Sequence, residues 1–481
     1  MTGTNMNDRT KTGGRAGDIN VLKCRDDHIP VEFRRREEGS VAGSQPFRLV
    51  EGSTCSWAKQ DEDFGPDQLR GRIEPWLTAL FQTEHLALLV GSGLSHAIHR
   101  MATASALPGM SAVSWAVFDA EIQGEAKRSA AAAGREDGNI EDQIRVASEL
   151  LRGLEILAST KEKDSPVAKQ TDSLRTNFET VLSTFADSIV KGEAGIVTAP
   201  AEKRERAFTY LVSFLMSFAS RSGTRDRLHL FTTNYDRFIE AGADVAGLHL
   251  IDRFVGQLTP VFRSSRLDVD MHYNPPGIRG EPRYLEGVAR FTKLHGSVDW
   301  VDFERSIRRI GVPFGVQEIA PYLKATGLPA TTATQLMIYP NSSKDRETAA
   351  YPYVELFRDL AAAACRPNST LICFGYSFGD DHINRVIEDM LTIPSAHLVV
   401  ISMNDPLGRI MKTYEKLGRA AQITLLLGEH VGNFEVLVDN YLPKPAIDRT
   451  TFRMAELLKA RWDTRNPDRS GNDDTATSAR A

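Results

Sequence analysis

Apolar residues along this chain gather into short unbroken runs, and each run ends in small or polar residues. The run from Leu86 to Val90 is followed by Gly-Ser-Gly, and the run from Leu228 to Thr232 is followed by Thr-Asn-Tyr-Asp. Four later segments have the same form: FTKLHGS (291–297), QLMIYP (335–340), TLICFGYS (370–377) and HLVVISMN (397–404). Continuous apolar runs of this length are typical of parallel strands covered on both faces. We therefore predict a buried strand at each segment.

Helical spacing of apolar residues separates several of these runs, as in YVELFRDLAAAAC and HINRVIEDMLT. A longer block of helical patterns fills residues 111–223, between the first two predicted strands. Strands that alternate with helices indicate a mostly parallel sheet with helices on both faces. The pattern predicts a Rossmann-like α/β domain over residues 71–445, with an all-helical insert at about 111–223.

The two ends of the chain carry weaker patterns. Residues 1–70 begin with a polar segment and contain only a few short apolar stretches, so they predict an N-terminal extension that is partly disordered. Residues 446–481 predict a C-terminal helix followed by a disordered tail.

Composition limits the kind of function to expect. The 481 residues are 41% hydrophobic and 25% charged, which is a globular composition, and the net charge of −5 does not indicate direct nucleic-acid binding. The apolar runs are too short to span a bilayer, and the polar amino terminus does not resemble a signal peptide. The four cysteines include no Cys-x-x-Cys pair, which excludes a zinc ribbon. We expect a cytoplasmic protein without a membrane anchor.

The polar clusters after the strands are the candidate chemistry, because parallel strands place their carboxyl ends along one edge of a sheet. In the first cluster, Gly91 and Gly93 allow backbone N–H groups to approach a pyrophosphate, and Ser95 adds a hydroxyl donor. A tight turn explains the same residues, and the third glycine of the dehydrogenase fingerprint is missing near Ala97.

The second and third clusters carry an amide, a carboxylate and an imidazole. Thr233, Asn234 and Asp236 follow one strand, and His295 follows another within Lys-Leu-His-Gly-Ser. Each has a purely structural alternative, since Asp236 is a suitable helix cap and a lone histidine is more often structural than catalytic.

Two further clusters complete the set. Gly375, Tyr376 and Ser377 form another glycine turn, and Asn404 ends the last predicted strand. Asn404 suits a ribose hydroxyl, or alternatively begins a turn before Pro406.

Two groups of residues raise the question of a metal. His96 and His99 are three residues apart, but no third and fourth ligand follow at matching spacing. Asp380-Asp381-His382 stands at a predicted helix start, where acidic residues are expected as caps. We therefore expect no metal.

Together the ordered motifs resemble sirtuin-like proteins: Gly-Ser-Gly-x-Ser, Thr-x-Asn-x-Asp, His-Gly, Gly-Tyr-Ser and the terminal Asn404. The segments GNIEDQI (138–144), IYPNSSKDRETAAYPYVELF (338–357) and GYSFGDDHIN (375–384) resemble the sirtuin-like domains of bacterial antiphage defence. The resemblance covers about residues 71–440.

The chain also departs from the sirtuin deacylases. It lacks their four-cysteine zinc module, and about 60 residues separate Asn234 from His295, where deacylases have a much shorter spacing. These differences fit a domain that keeps the NAD site and lacks the peptide-binding module.

The resemblance implies a role for each candidate residue toward NAD+ as substrate. Asn234 would position the ribose and the attacking water, Asp236 would engage the nicotinamide carboxamide, and His295 would act as general base. The remaining residues would bind the rest of the dinucleotide: Gly91, Gly93 and Ser95 at the pyrophosphate, and Gly375, Ser377 and Asn404 at the adenosine half. Thr233 and Tyr376 would be further cofactor-binding residues.

The resemblance therefore implies an NAD+ hydrolase that forms nicotinamide and ADP-ribose and acts in antiphage defence by NAD depletion. Such an activity requires restraint, so we expect a homo-oligomer or control by a HerA-type ATPase, with a short Argonaute or no partner as alternatives. A non-catalytic NAD or ADP-ribose sensor is the second hypothesis, and a protein deacylase is the third.

Overall fold

The computed structural model of the protein describes residues 19–36, 46–107, 110–132, 135–221, 225–265, 267, 269–274, 283–304, 306–324, 331–338 and 351–444. The predicted C-terminal helix and tail at 446–481 lie outside these residues, as does the polar segment at 1–18.

The strands of the described residues follow in chain order: β1 (Ile19–Lys23), β2 (Val31–Arg35), β3 (Phe47–Leu49), β4 (His85–Val90), β5 (Leu228–Thr232), β6 (His249–Ile251), β7 (Phe254–Val255), β8 (Val261–Phe262), β9 (His272–Tyr273), β10 (Arg283–Tyr284), β11 (Val288–Lys293), β12 (Trp300–Phe303), β13 (Ser306–Arg309), β14 (Ser369–Phe374), β15 (His397–Ser402) and β16 (Ile423–Leu427). Ten of them form one sheet in the order β3-β2-β1-β16-β15-β14-β4-β5-β11-β6. From β16 to β6 every neighbouring pair is parallel, whereas β1, β2 and β3 add an antiparallel edge.

The helices of the described residues are α1 (Pro66–Phe81), α2 (Ser92–Thr103), α3 (Asp119–Ala132), α4 (Ile140–Ala158), α5 (Pro166–Val197), α6 (Ala201–Ala219), α7 (Phe238–Ala246), α8 (Tyr353–Ala364), α9 (Asp381–Met390), α10 (Arg409–Leu417) and the short α11 (Phe434–Val436). A π-helix at Leu437–Tyr441 continues α11, and three 3-10 turns lie at 320–322, 333–335 and 420–422.

Helices cover both faces of the parallel part of the sheet. In β4, Leu88 and Val90 pack in one hydrophobic core together with α6, and Ala87 and Leu89 pack in another core together with α8. Successive side chains of a strand point to opposite faces, so a strand with apolar residues at every position needs cover on both sides. The continuous apolar runs therefore correctly predicted a mixed α/β fold around a large, mostly parallel sheet.

One predicted strand is wrong. In QLMIYP (335–340), Gln335 ends a 3-10 turn and Leu336 forms only an isolated bridge with Val301; residues 339–340 are not described. Leu336, Met337 and Ile338 are buried although they do not belong to the sheet. Their apolar character serves packing beside the small antiparallel sheet β12-β13-β8-β7.

The predicted helical insert, residues 111–223, contains α3 to α6. Helices α3, α4 and α5 share a hydrophobic core with the segment after β11, through residues such as Phe185 and Val298. Helix α6 instead packs on the sheet, where Phe214 contacts Phe374 with ring centroids 5.0 Å apart. The insert therefore lies against the part of the chain that follows His295.

No helix among the described residues is both long enough and apolar enough to cross a bilayer.

Candidate active site

Two adjoining cavities open where the parallel strands end. The first has a volume of about 430 Å³ and the second about 320 Å³. Both are lined by Ser92, Gly375, Tyr376, Ser377 and Arg409. The two cavities therefore share a wall that is formed by the start of α2, the turn after β14 and the start of α10.

Every residue that the sequence suggested for the site lines one of these cavities or both. The first cavity is lined by Gly91, Ser95, Thr233, Asn234, Asp236 and His295. The second is lined by Gly93 and Asn404, and the turn at 375–377 faces both. The carboxyl ends of strands that lie far apart in sequence thus meet at one place, as expected for a parallel sheet.

The two glycine turns contact each other directly. The Gly91 N–H donates to the Phe374 carbonyl at 2.9 Å, and the Gly93 N–H donates to the Gly375 carbonyl at 3.1 Å. A Cβ on Gly91 would lie 2.4 Å from the Gly375 oxygen. Both N–H groups therefore have protein partners. The feature that can still attract an anion is the positive N-terminal end of α2, which begins at Ser92 and faces both cavities.

Asn234 belongs to a hydrogen-bonded chain that fixes its amide. Its Nδ2 donates to the Gly91 carbonyl at 3.0 Å and to Ser95 Oγ at 2.9 Å. Ser95 Oγ in turn donates to Asp236 Oδ2 at 2.7 Å, and Asp236 Oδ1 accepts from the Phe238 N–H at 3.2 Å. Because the amide nitrogen is engaged, the amide oxygen of this buried residue is the atom left to accept a hydrogen bond from a ribose hydroxyl or a water.

His295 is paired with a carboxylate that the sequence interpretation treated only as a helix cap. Its Nε2 lies 2.8 Å from Asp380 Oδ2. The other oxygen, Asp380 Oδ1, accepts from the His382 N–H at 3.0 Å and so caps α9. When Nε2 carries the proton toward Asp380, Nδ1 holds the lone pair, and the carboxylate stabilises the imidazolium that forms on protonation. An imidazole that is held in this way can act as an oriented general base.

Tyr376 holds the backbone of Asp380. Its hydroxyl lies 3.2 Å from the Asp380 carbonyl, 3.3 Å from the Asp380 N–H and 3.3 Å from Asn384 Oδ1. Burial raises the pKa of Tyr376 well above its ordinary value, so the hydroxyl stays protonated. The Tyr376 hydroxyl therefore holds the Asp380 turn in place, and the backbone around it forms the wall between the cavities.

The first cavity is also lined by two arginines that the sequence did not indicate as site residues. Arg135 forms an ion pair with the buried Asp142 at 2.6 Å, and Asp142 forms a capping box with Asn139 at the start of α4. Arg409 lines both cavities; burial and the positive charge of Arg135 lower the pKa of Arg409. Arg409 and the N-terminus of α2 at Ser92 both lie at the shared wall, which makes this wall favourable for a diphosphate.

His99, one of the candidate metal residues, has structural partners. Nδ1 of the buried His99 lies 3.3 Å from the Ser105 carbonyl and 3.2 Å from Thr103 Oγ1. Burial also lowers the pKa of His99. Within the described part of the chain, no three or more His, Cys, Asp or Glu residues are grouped as metal ligands.

Comparison with known families finds a match that covers part of this site. Residues 228–423 match the model of the SIR2-like domain, from the start of β5 to the first residue of β16. The match includes Asn234, His295, Asp380 and Arg409. A search of curated proteins finds no match to the chain. This segment is therefore similar to sirtuin-like domains, which is consistent with NAD-dependent activity in general.

Proposed function

We propose that the protein is an NAD+ hydrolase that cleaves the bond between nicotinamide and ribose. The observation that carries this proposal is the pairing of His295 with Asp380 in the same cavity as the amide oxygen of Asn234. A module that only binds a dinucleotide needs a complementary surface, whereas an oriented imidazole–carboxylate pair supplies a base.

The reaction exchanges one bond at the anomeric carbon of the ribose. Water attacks this carbon, the carbon–nitrogen bond breaks, and nicotinamide leaves with the bonding electron pair as a neutral molecule. The water proton passes to His295, and ADP-ribose is the second product. The developing sugar cation is the high-energy species, so residues that hold the ribose and exclude bulk water lower the barrier.

The two cavities divide the dinucleotide between them in this proposal. The first, with Asn234, Asp236 and His295, would take nicotinamide and its ribose. The second would take adenosine beside Asn404. Arg409 and the N-terminus of α2 lie at the shared wall, where the diphosphate would bridge the two halves.

Nicotinamide release from NAD+ tests the proposal. We expect the wild-type protein to release nicotinamide, and His295→Ala and Asn234→Ala to lower kcat by about 100-fold or more, as for loss of a positioned base. His249→Ala is the matched control, because this histidine is exposed on β6 and lines neither cavity.

Other outcomes favour the other hypotheses. Binding of NAD+ without nicotinamide release, with and without candidate partners, would favour a sensor module. Release only in the presence of an acyl-lysine peptide would favour a deacylase. Equal activity of wild type and both cavity variants would remove the proposed catalytic roles.

We propose that this activity depletes NAD+ during phage infection and is controlled by assembly. Support comes from the resemblance of GNIEDQI (138–144) and GYSFGDDHIN (375–384) to sirtuin-like defence domains. A homo-oligomer or a HerA-type ATPase partner would restrain the enzyme. Size-exclusion chromatography with the neighbouring gene products, followed by the nicotinamide assay on each fraction, tests this part.

A further inference from the structure

The loop that carries Asn234 and Asp236 is held from behind by a buried ion pair. Glu193 Oε1 accepts from the Arg237 N–H at 2.9 Å and from Arg237 Nε at 3.1 Å, and Arg237 Nη2 contacts the second carboxylate oxygen. Arg237 also donates to the carbonyls of Val312 and Pro313. Glu193 is fully buried, and Arg237 is almost so. Glu193 therefore fixes the position of Arg237, the residue that directly follows Asp236.

A second buried cation, Lys293, binds backbone carbonyls of the same loop. Lys293 Nζ lies 3.0 Å from Glu240 and 3.4 Å from the Tyr235 carbonyl, and it also donates to the Asp236 carbonyl. Lys293 comes from β11, within the sheet, whereas Glu193 comes from α5, within the helical insert. The sheet and the insert therefore hold the loop from two directions.

Helix α5 contacts three parts of the site within eight residues. Ser188 and Ile189 line the first cavity. Glu193 binds Arg237, and a Cβ on Gly195 would lie 3.0 Å from His99 Nε2 on α2. A displacement of α5 would thus change the positions of the cavity wall, the Asn234 loop and α2, the helix that carries Ser95.

We propose that Glu193 is a positioning residue through which the helical insert sets the geometry of Asn234 and Asp236. The proposal rests on the proposed function of the cavity. A buried ion pair adds little net stability compared with a neutral pair, but removal of one partner leaves an uncompensated buried charge. Its contribution here is the placement of the loop, because Arg237 is the neighbour of Asp236 and is bonded through both its backbone and its side chain.

Burial raises the pKa of Glu193 to about 7, against the opposing effect of Arg237. The carboxylate therefore depends on its partner for its charge. A paired substitution separates the effect of charge from the placement of the loop. Glu193→Gln alone leaves Arg237 charged and buried. Glu193→Gln with Arg237→Gln removes both charges and keeps hydrogen-bonding groups.

The experiment compares these variants by amide hydrogen exchange of the peptide 228–240, by thermal unfolding and by nicotinamide release. We expect Glu193→Gln to lower thermal stability. In the double variant stability should return toward wild type, while the loop peptide exchanges about tenfold faster and kcat stays about 10- to 100-fold lower. The KM for NAD+ should change by less than about threefold.

The matched control is the buried pair of Arg253 and Asp359, whose side chains lie 2.8 Å apart and line neither cavity. Asp359→Asn alone should lower thermal stability, and Asp359→Asn with Arg253→Gln should return it toward wild type. Neither variant should change kcat or exchange of the loop peptide.

Two results would overturn the proposal: unchanged loop exchange in both Glu193 variants, or kcat values that follow thermal stability alone across both pairs. A wild-type protein that releases no nicotinamide would refute the proposed function, while the exchange measurement would still decide the role of Glu193.

Discussion

Asp380 combines two roles in one side chain. One carboxylate oxygen caps α9 and the other contacts His295, so a single residue ties the base to the start of a helix. Asparagine is as good an N-cap as aspartate, whereas it cannot supply the negative charge that stabilises an imidazolium. The two roles can therefore be separated by one substitution.

We predict that Asp380→Asn lowers kcat for nicotinamide release by about 100-fold and leaves the free energy of unfolding within about 1 kcal/mol of wild type. The measurement combines steady-state kinetics with urea unfolding. Asp389→Asn, an exposed acidic residue on the same helix, serves as the control and should keep full activity. A fully active Asp380→Asn protein would show that the carboxylate is only a cap.

The sequence predicted residues at strand ends and missed residues that reach the site from elsewhere. Asn234 and His295 follow strands, so the rule for parallel sheets placed them correctly at one edge. Asp380 lies 85 residues from His295, and no local pattern records that contact. Arg135 lies in the loop before α4 and Arg409 begins α10. A basic residue at such a position is an ordinary surface feature until the fold brings it to a cavity.

At the scale of elements, the glycine turn after β4 packs directly against the glycine turn after β14. This contact fixes the geometry at the ends of both strands. Gly91 has a φ of −97°, which other residues adopt freely, so the requirement for glycine is one of space. The nearest atoms to an added Cβ are backbone atoms of Gly375 and Tyr376. Backbone atoms cannot move aside as a flexible side chain would, so the two turns must separate if either glycine gains a side chain.

We predict that Gly91→Ala lowers the free energy of unfolding by about 3 kcal/mol, the upper end for overpacking, and weakens ADP-ribose binding. Gly124→Ala is the opposite control, since this exposed glycine of α3 has open space around it. It should raise stability by about 0.5–1 kcal/mol. Urea unfolding and calorimetry measure both effects, and a Gly91→Ala protein with wild-type stability would contradict the packing argument.

The incorrect strand at 335–340 illustrates the limit of periodicity at this scale. An apolar run reports burial, and β-structure is only one way to bury it. Leu336 and Met337 are buried beside the small sheet and the turn at Gly296, where the Met337 carbonyl leaves space only for a hydrogen at Gly296. The run therefore packs behind His295 instead of joining the central sheet.

At the scale of the whole molecule, the antiparallel edge joins the sheet next to two partly buried histidines, His397 and His430. His397 Nε2 lies 2.8 Å from Thr424 Oγ1, and burial together with the charge of Lys23 lowers the pKa of His397 to about 4. Burial, with the charge of Arg35, also lowers the pKa of His430 to about 4. Both histidines are thus neutral in the folded protein down to a pH at which an unfolded chain protonates them.

The consequence for stability has a definite sign. An unfolded histidine has a pKa near 6.5, so between pH 6.5 and 4 the unfolded chain binds more protons than the folded protein. Above about pH 6.5 these histidines do not reduce the free energy of unfolding. This free energy falls as the pH decreases from about 6.5, and below about pH 4 these groups cause no further loss. For the partly buried His397 the loss amounts to roughly 2–3 kcal/mol.

We predict that His397→Gln, which keeps a hydrogen-bonding partner for Thr424, flattens the decrease in stability between pH 6.5 and 4. Urea unfolding at several pH values measures this slope for wild type and variant. His249→Gln, at the exposed position on β6, should retain the wild-type slope because this side chain faces water in the folded protein as in the unfolded chain. If His397→Gln and wild type lost stability in parallel, protonation of His397 could not be the cause, and the acid sensitivity of the molecule would have to arise away from the junction between β15 and β16.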